Sequence, residues 1–357
     1  MRALPVLLLL SCALTAKADK VDDLVLKEMA AAKVPGISLA VIRDGKPIKV
    51  KGYGMANLEH QVRVKPETVF QSGSVGKQFT SALILILQQE GKLSIDDPVV
   101  KHFPEAKEKW EGVTIRHLLS HTSGLPDMPY HTMNMREDYT EDQLLKFLID
   151  QKVPEKPGEK WRYNNGGYVL LRILAGRVGG KFYGDLLQEK IFGPLGMTTA
   201  RIIDESAVIP NRAAGYMFHE GKLLNQPWVA PKLNTTADGS LYMTALDMVK
   251  WDAALWGEKL LSKASKDAMW TAGKLTSGAP VGGVKNEYGF GWMISKVNDH
   301  PVIHHGGAWQ GFTSWIGRYP GKKTSVVIFG NLAGVPVEKI GLQVMQHYCP
   351  ELKTSKG

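Results

Sequence analysis

A serine and a lysine stand three residues apart beside small residues. Residues 72–74 read Ser-Gly-Ser, and Lys77 follows Ser74 after two intervening positions. Residues three apart lie on one face of a helical turn, so the hydroxyl and the amine would project side by side. A desolvated lysine can be neutral near pH 7 and accept the serine proton, while N–H groups at a helix start favour developing negative charge. The pair predicts an acylated serine nucleophile; the alternative is a capping serine beside a solvated lysine.

An apolar run behind Ser74 predicts the helix that would hold this pair in the core. Apolar residues recur three and four positions apart, at Phe79, Ala82, Leu83, Ile86 and Leu87. This period is typical of a helix with a wide buried face, and Gly91 would end it. Ser74 is the only serine in the chain with a lysine three residues later, which favours the nucleophile over the cap.

Residues 163–165, Tyr-Asn-Asn, form the only Tyr-x-Asn in the chain. A tyrosine hydroxyl near a lysine can relay protons, and an asparagine amide can hold the lysine and a substrate carbonyl. Tyr163 and Asn165 are therefore candidate catalytic residues. The alternative is an aromatic residue before a helix, with Asn165 as the N-cap of that helix.

A third candidate stretch, residues 304–311, reads His-His-Gly-Gly-Ala-Trp-Gln-Gly. It offers an imidazole, and glycines that would let a substrate approach the backbone of an edge strand. His-x-Gly occurs here in two registers, through His304 and through His305, and a third copy at His219 is typical of a hairpin turn. Trp309, Trp292 and Tyr130 are candidate pocket aromatics, with core packing as the alternative for the two tryptophans.

His117 and His121 stand four residues apart and could face one zinc ion. Zinc-protease helices place a glutamate directly after the first histidine, and Leu118 stands there instead. Both histidines are therefore interpreted as structural, and no metal or cofactor is predicted.

The first residues indicate export. Residues 1–18 combine Arg2, an apolar run over 3–16 and a small-x-small pattern at 16–18, which predicts a signal peptide. Cys12 could mark a lipoprotein site, but Leu10 fits such a site poorly, so simple cleavage is favoured. The expected location is the periplasm or the medium.

Composition narrows the class of protein. Of 357 residues, 44 are Lys or Arg and 35 are Asp or Glu, and the net charge of +9 falls to +7 when the predicted signal peptide leaves with two basic residues. The basic residues are scattered without an arginine-rich run, which argues against nucleic-acid binding. No further membrane span is predicted, and one cysteine, Cys349, remains, so no internal disulfide is expected. A small-molecule substrate and a monomer are the expectations.

Strand signals cluster at the two ends of the chain. Residues 37–42 and 48–53 flank Asp44-Gly45, a hairpin signal, and further β-rich runs lie at 302–304, 312–319 and 325–329. The prediction is an α+β fold with an antiparallel sheet built from both chain ends and flanked by helices. Its sheet subdomain would comprise residues 19–70 and 286–357, and a mainly helical subdomain would comprise residues 71–285.

Over about residues 30–335 the chain resembles the serine hydrolases that include class C β-lactamases, DD-carboxypeptidases and related esterases. The resemblance rests on landmarks in the family's order: Ser-x-x-Lys at 74–77, Thr-Ile-Arg-His-Leu-Leu-Ser-His-Thr-Ser-Gly-Leu-Pro at 114–126, Tyr-x-Asn at 163–165, Pro-Leu-Gly-Met at 194–197 and Tyr-Gly-Phe-Gly-Trp at 288–292. It implies the β-lactamase/DD-peptidase fold.

The resemblance also implies a role for each matched residue. Ser74 resembles the acylated nucleophile, Lys77 its proton acceptor, Tyr163 the general base and Asn165 a polar positioner. The oxyanion hole would use the backbone N–H groups of Ser74 and Ala308. His305 is favoured as the third-motif residue because the family's later glycine then falls on Gly311, and the register through His304 stays open. Substrate contacts would come from Gly306, Gly307 and Trp309.

One departure from the family bears on the substrate. Class C β-lactamases carry Lys-Thr-Gly at the third motif, and this chain contains neither Lys-Thr-Gly nor Lys-Ser-Gly. A histidine near pH 7 supplies little of the positive charge that a substrate carboxylate needs. The expected function is hydrolysis of carboxylic esters or small amides. The alternatives are a D-amino-acid peptidase, a weak β-lactamase, and a non-catalytic ligand-binding homologue. Because Gly-x-Ser-x-Gly is absent, an ordinary lipase fold is disfavoured.

Overall fold

The computed structural model describes residues 19–231, 241–283 and 285–353. The predicted signal peptide lies outside the described residues. The strands are β1 (Gly36–Arg43), β2 (Lys46–Asn57), β3 (Val62–Arg63), β4 (Phe70–Gln71), β5 (Arg201–Ile202), β6 (Tyr216–His219), β7 (Lys222–Asn225), β8 (Leu241–Met243), β9 (Glu287–Tyr288), β10 (Met293–Val297), β11 (His300–Trp309), β12 (Phe312–Tyr319) and β13 (Thr324–Gly330). The α-helices are α1 (Lys20–Ala32), α2 (Lys77–Gln89), α3 (Ile115–Leu119), α4 (Glu141–Asp150), α5 (Asn165–Gly179), α6 (Tyr183–Leu187), α7 (Gly193–Leu195), α8 (Ala245–Trp256), α9 (Lys263–Met269) and α10 (Val337–Tyr348).

An eight-stranded sheet joins the two ends of the chain, in the order β3-β2-β1-β13-β12-β11-β10-β9. Its pairings are antiparallel, and β1 meets β13 with Ile37 opposite Gly330. The Asp44-Gly45 turn between β1 and β2 has φ of 50° and 70°. Positive φ at both positions matches the right-handed twist of the flanking strands, which is why Asp-Gly closes hairpins. The predicted α+β fold with a sheet from both ends is confirmed.

Both faces of the sheet are covered. Along β1, Ile37, Leu39 and Val41 pack into one apolar cluster with α1 and α10, while Ala40 and Ile42 pack into another with α2 and α8. The alternation follows from the two-residue period of a strand. With both faces buried, the central strands β1 and β13 are mostly apolar.

Helix α2 runs through the core on the second face. All of its residues from Lys77 to Leu87 are buried, because other helices surround it as well as the sheet. The sequence places Ser74 at the start of this helix, but Ser74 lies in a 3-10 turn, Gly73–Gly76, and α2 begins at Lys77. Among the described helices, none is long and apolar enough to cross a membrane. The proposed division of the chain into two subdomains stays a prediction.

Candidate active site

Ser74, Lys77 and Asn165 meet at the start of α2. The Lys77 Nζ atom lies 3.2 Å from Ser74 Oγ and 2.9 Å from Asn165 Oδ1. Lys77 is completely buried, whereas Ser74 is partly exposed between buried neighbours. An accessible hydroxyl against an enclosed amine is the arrangement that nucleophilic catalysis requires.

The aromatic ring of Tyr163 lies beside the same amine. Lys77 Nζ is 5.1 Å from the ring centroid of Tyr163 and 5.3 Å from that of Tyr168 on α5. The faces of both rings are electron-rich, so they favour a cation at this distance. The structure therefore brings Tyr163 to the Ser74–Lys77 pair, as the sequence motif predicts.

Asn164, not Asn165, caps helix α5. Its Oδ1 accepts the Gly167 N–H at 2.6 Å, and its Nδ2 donates to the Leu125 carbonyl at 2.8 Å. Asn165 is the first residue of the helix, and its amide oxygen faces Lys77. The alternative that Asn165 is the cap is wrong. The capping asparagine fixes the helix start, and this start aims the next asparagine at the lysine.

Strand β11 approaches the turn that carries Ser74. A Cβ added at Gly307 would lie 2.2 Å from the Ser72 carbonyl oxygen and 3.0 Å from Ser74 N, so only glycine fits there. At Gly306 the nearest atom would be 3.8 Å away, so no such constraint acts. The prediction from sequence is that these glycines let a substrate approach the strand backbone. In the structure, the space beside Gly307 is occupied by the nucleophile's own turn.

The backbone N–H of Ala308 points away from β12. Trp309 pairs with Phe312 across a two-residue turn and forms the hydrogen-bonded closing pair. Hydrogen-bonded and non-hydrogen-bonded pairs alternate along an antiparallel ladder, so the Ala308 N–H faces the other edge of β11. On that side, a Cβ built at Gly73 would lie 2.5 Å from Ala308 N. The N–H groups of Ser74 and Ala308 are thus neighbours, as an oxyanion hole requires.

The two adjacent histidines of β11 face opposite sides of the sheet. The His305 ring lies 6.0 Å from the Tyr163 ring, whereas the His304 ring lies 6.2 Å from Trp315 in the other core cluster. The register through His305 is therefore the one that faces the site. Burial lowers the pKa of His305 to about 3, so the imidazole is neutral at pH 7.

Sequence reasoning missed two members of this site. His121, interpreted as structural, lies 4.4 Å from the Tyr163 ring, and Tyr288, quoted only as a landmark, lies 6.2 Å from it. Both stand within family landmark sequences, which is the signal that could have identified them. His121 Nδ1 accepts the Asn164 N–H, and its Nε2 is bonded to Tyr288, so neither nitrogen faces an open metal site. In the described part of the chain, no three potential ligands cluster as a metal centre would require.

The candidate pocket tryptophans differ. Trp292 is completely buried in the core, so the hypothesis that it lines a pocket is wrong. Trp309 is partly exposed and packs against a small cluster of Val69, Ile203 and Tyr242. Tyr130 is also partly exposed.

Comparisons with known proteins identify the family and the fold. The sequence matches the family described as Beta-lactamase over residues 21–345. Penicillin-binding protein 4* of Bacillus subtilis (strain 168) is 28% identical over 78% of this chain and 64% of its own length. The octameric penicillin-binding protein homologue from Pyrococcus abyssi is 31% identical, with a TM-score of 0.82 over 93% of this chain and 77% of that chain.

A D-amino acid amidase from Ochrobactrum anthropi SV3 shares the fold, with a TM-score of 0.82 over 93% of this chain and 99% of that chain at 24% identity. The fold and the site define a β-lactamase-type serine hydrolase. This chain belongs to the Beta-lactamase family. It spans 64% of the length of the Bacillus relative, so the activity of the whole protein is a separate question.

Proposed function

We propose that this chain hydrolyses uncharged carboxylic esters or small amides through an acyl-enzyme on Ser74. The observation that carries the proposal is the buried imidazole of His305, neutral at pH 7, whose ring lies 6.0 Å from that of Tyr163. A substrate carboxylate needs a fixed cation for charge-assisted hydrogen bonds, and a neutral imidazole is not one. An uncharged ester has no such requirement.

The chemistry begins with the Ser74 hydroxyl. Its oxygen attacks the substrate carbonyl carbon while its proton passes to the Lys77 amine, 3.2 Å away. The tetrahedral oxyanion accepts hydrogen bonds from the N–H groups of Ser74 and Ala308. Tyr163 delivers a proton to the leaving oxygen or nitrogen as the bond to the carbonyl carbon breaks. Tyr163 regains its proton from the Lys77 ammonium. Water then attacks the acyl-enzyme and gives a proton to the same tyrosine–lysine pair, which returns a proton to the Ser74 oxygen as the acid leaves.

A second candidate is turnover of D-peptides or slow turnover of β-lactams. Its support is the similarity to two proteins named as a penicillin-binding protein and as a homologue of one. In that case another cation must hold the substrate carboxylate. A non-catalytic ligand-binding role is the third candidate function, and the proximity of Ser74, Lys77 and Asn165 argues against it.

The discriminating experiment is a turnover screen of the protein from residue 19 onward. The substrates are a short-chain aryl ester, a chromogenic cephalosporin and a D-Ala-D-Ala peptide. We expect the ester to have the highest kcat/KM, Ser74→Ala to abolish turnover, and the exposed Ser277→Ala to match wild type. Faster hydrolysis of the cephalosporin than of the ester would contradict the proposal, and no turnover of any substrate would favour the binding protein.

A lysine at the third motif sharpens the same test. His305→Lys should raise kcat/KM for the cephalosporin or the D-peptide relative to the ester by about tenfold, because it adds a charged donor for a carboxylate where the wild type has only an enclosed neutral ring. The ratio of substrates is the readout, since a loss of folded protein lowers all rates equally. A ratio that stays constant would show that residue 305 does not set the charge preference.

Export to the periplasm or the medium is also proposed. Its support is the apolar run at 3–16 with the small-x-small pattern at 16–18, directly before Asp19, which caps α1. Expression of the full sequence in a bacterium should yield an exported protein whose N-terminal residue is Asp19. An intact N-terminus in the cytoplasmic fraction would contradict export.

A further inference from the structure

Three buried side chains join separate elements of the site in one line of hydrogen bonds. His121 Nε2 lies 3.1 Å from the Tyr288 hydroxyl, and this hydroxyl lies 3.1 Å from His305 Nε2. His121 follows α3, Tyr288 ends β9 and His305 lies within β11. Each of these side chains is at most 2% exposed. We call them the His–Tyr–His chain.

The backbone fixes the direction of the His–Tyr–His chain at its first end. His121 Nδ1 lies 3.1 Å from the Asn164 N–H, which can only donate. Nδ1 must therefore be the acceptor, and the proton of the neutral imidazole is on Nε2. His121 consequently donates to the Tyr288 oxygen.

The far end imposes the same direction. His305 Nδ1 lies 2.6 Å from the Gly306 carbonyl oxygen, which can only accept. Nδ1 therefore carries the proton, and Nε2 is left as an acceptor. The Tyr288 hydroxyl donates to it. With two neutral imidazoles, only this arrangement satisfies every group, and buried polar groups left unsatisfied are costly.

The chain encloses the ring of Tyr163. The ring centroids of His121, His305 and Tyr288 lie 4.4, 6.0 and 6.2 Å from that of Tyr163. The Lys77 amine lies 5.1 Å from the centroid of the same ring. The orientation of the tyrosine beside the lysine therefore depends on rings that the chain holds in place.

We propose that the His–Tyr–His chain locks His305 as a neutral imidazole protonated on Nδ1, which positions Tyr163 and makes no hydrogen bond to substrate. Both nitrogens of His305 are already used within the protein. His305 is then a positioning residue, and the sequence-based assignment of it as catalytic is replaced. His121 and Tyr288 act through it and through the Tyr163 ring.

The titratable groups around His305 are Lys77, Tyr163, Tyr288 and, on the opposite face of the strand, His304. Lys77 and His304 oppose its protonation, whereas its hydrogen bond to the Gly306 carbonyl favours it. Burial is the largest cause that lowers its pKa, and the charge of Lys77 acts in the same direction. Burial and Lys77 likewise hold the pKa of His121 well below its usual range. Both imidazoles of the His–Tyr–His chain are therefore neutral at pH 7.

Nitrogen NMR of the unmodified protein tests the lock independently of any activity. Long-range nitrogen–carbon correlations distinguish the two neutral tautomers, and the His305 signals are assigned by their loss in His305→Gln. We expect an Nδ1-protonated ring at His305 and an Nε2-protonated ring at His121, neither changing between pH 5 and 8. A His305 ring that is protonated on Nε2, or that titrates in this range, would overturn the proposal.

A matched pair of variants tests the positioning role, and this kinetic arm alone rests on the proposed function. The glutamine oxygen of His305→Gln can replace Nε2 and accept from Tyr288, whereas the shorter His305→Asn can mimic only Nδ1. We expect kcat to fall less than tenfold in the glutamine variant. In the asparagine variant and in Tyr288→Phe it should fall roughly 10- to 100-fold with little change in KM, because a buried partner is left unsatisfied.

The opposite pattern would mean that His305 acts on substrate. In that case glutamine and asparagine lose activity equally, and Tyr288→Phe retains the wild-type kcat. The exposed His219→Gln is the matched control and should have the wild-type rate. Failure of the proposed function would remove turnover in all proteins but would leave the tautomer measurement unaffected.

Discussion

Two fully buried basic side chains, Lys77 and Arg318, lie in opposite kinds of surroundings. Arg318 on β12 donates its Nε–H to Asp252 of α8 at 2.7 Å. Its guanidinium also lies between the rings of Trp256 and Trp270, 4.3 and 4.7 Å from their centroids. The contacts of Lys77 described above are instead a hydroxyl, an amide oxygen and two tyrosine rings.

The different contacts of Arg318 and Lys77 suit different roles, one structural and one in acid–base chemistry. The carboxylate of Asp252 also accepts from Ser325 at 2.7 Å and from the Trp256 indole at 3.1 Å, so the buried pair is held by several partners. Arginine remains protonated even there, which suits a permanent link between a helix and a sheet. A buried lysine can lose its proton, which suits an acid–base group. Lys77, whose amine contacts the Ser74 hydroxyl, is placed for that role.

The largest expected effect is the loss of turnover in Ser74→Ala. It should lower kcat by roughly 10⁶ without changing the melting temperature, because the loss of the nucleophile alone costs about as much activity as the loss of the whole catalytic unit. A fluorophosphonate should add one phosphonyl group to wild type, located at Ser74 by peptide mapping. Labelling of another serine would mean that Ser74 is not the nucleophile and that Lys77 is not a catalytic base.

Lys77→Met tests the reactive cation directly. The variant keeps the apolar stem and loses the amine, so turnover of the ester should fall by about 10³ or more. The free energy of unfolding should remain the same or increase, since the burial of an amine is costly and a methionine side chain carries no such cost. The measurements are kcat and urea denaturation. A Lys77→Met protein that is strongly destabilised would mean that this lysine, too, is structural.

Arg318→Met should give the reverse result. Removal of the guanidinium leaves Asp252 charged in the core and should cost about 3–5 kcal/mol of unfolding free energy, with turnover per folded molecule unchanged. The double variant Arg318→Met with Asp252→Leu should recover part of that loss because no charge is left uncompensated. If the double variant is no more stable than Arg318→Met alone, the two side chains are not energetically coupled.

Local sequence patterns predicted the elements of the fold well. Strand alternation and the Asp44-Gly45 signal located the hairpin of β1 and β2, and the apolar period located α2. Ser74 and Lys77 could be paired because they are three residues apart on one turn. Each of these signals lies within a few residues, where the backbone geometry of a turn or strand fixes which side chains are neighbours.

The remaining features depend on contacts between distant residues. The roles of Asn164 and Asn165 are separated by contacts with distant residues, since Asn164 donates to the Leu125 carbonyl 39 positions away and Asn165 faces Lys77 88 positions away. His121 meets Tyr288 across 167 positions of sequence. The 3-10 turn at Ser74 contains Gly73 at φ 50°, packed against Ala308. Local periodicity and propensity do not show which distant residues meet, so the family landmarks were the one signal for His121 and Tyr288.

The smallest expected effect is a pH dependence of stability at His304, the buried histidine on the face away from the site. Burial lowers its pKa from 6.5 to about 4, so the folded protein favours the neutral ring. Below pH 6.5 the unfolded chain binds a proton that the folded chain does not, so stability is lost as the pH falls from 6.5 towards 4.

The loss attributable to this one ring should be about 2 kcal/mol between pH 7.5 and 5. Urea denaturation of wild type and of His304→Gln at these two pH values measures it, since glutamine cannot titrate and can retain a hydrogen bond to Ser295. The variant should therefore lose less stability on acidification. Equal losses in the two proteins would mean that His304 is accessible to protons in the folded state, and that the face of the sheet behind the active site is less dry than its burial implies.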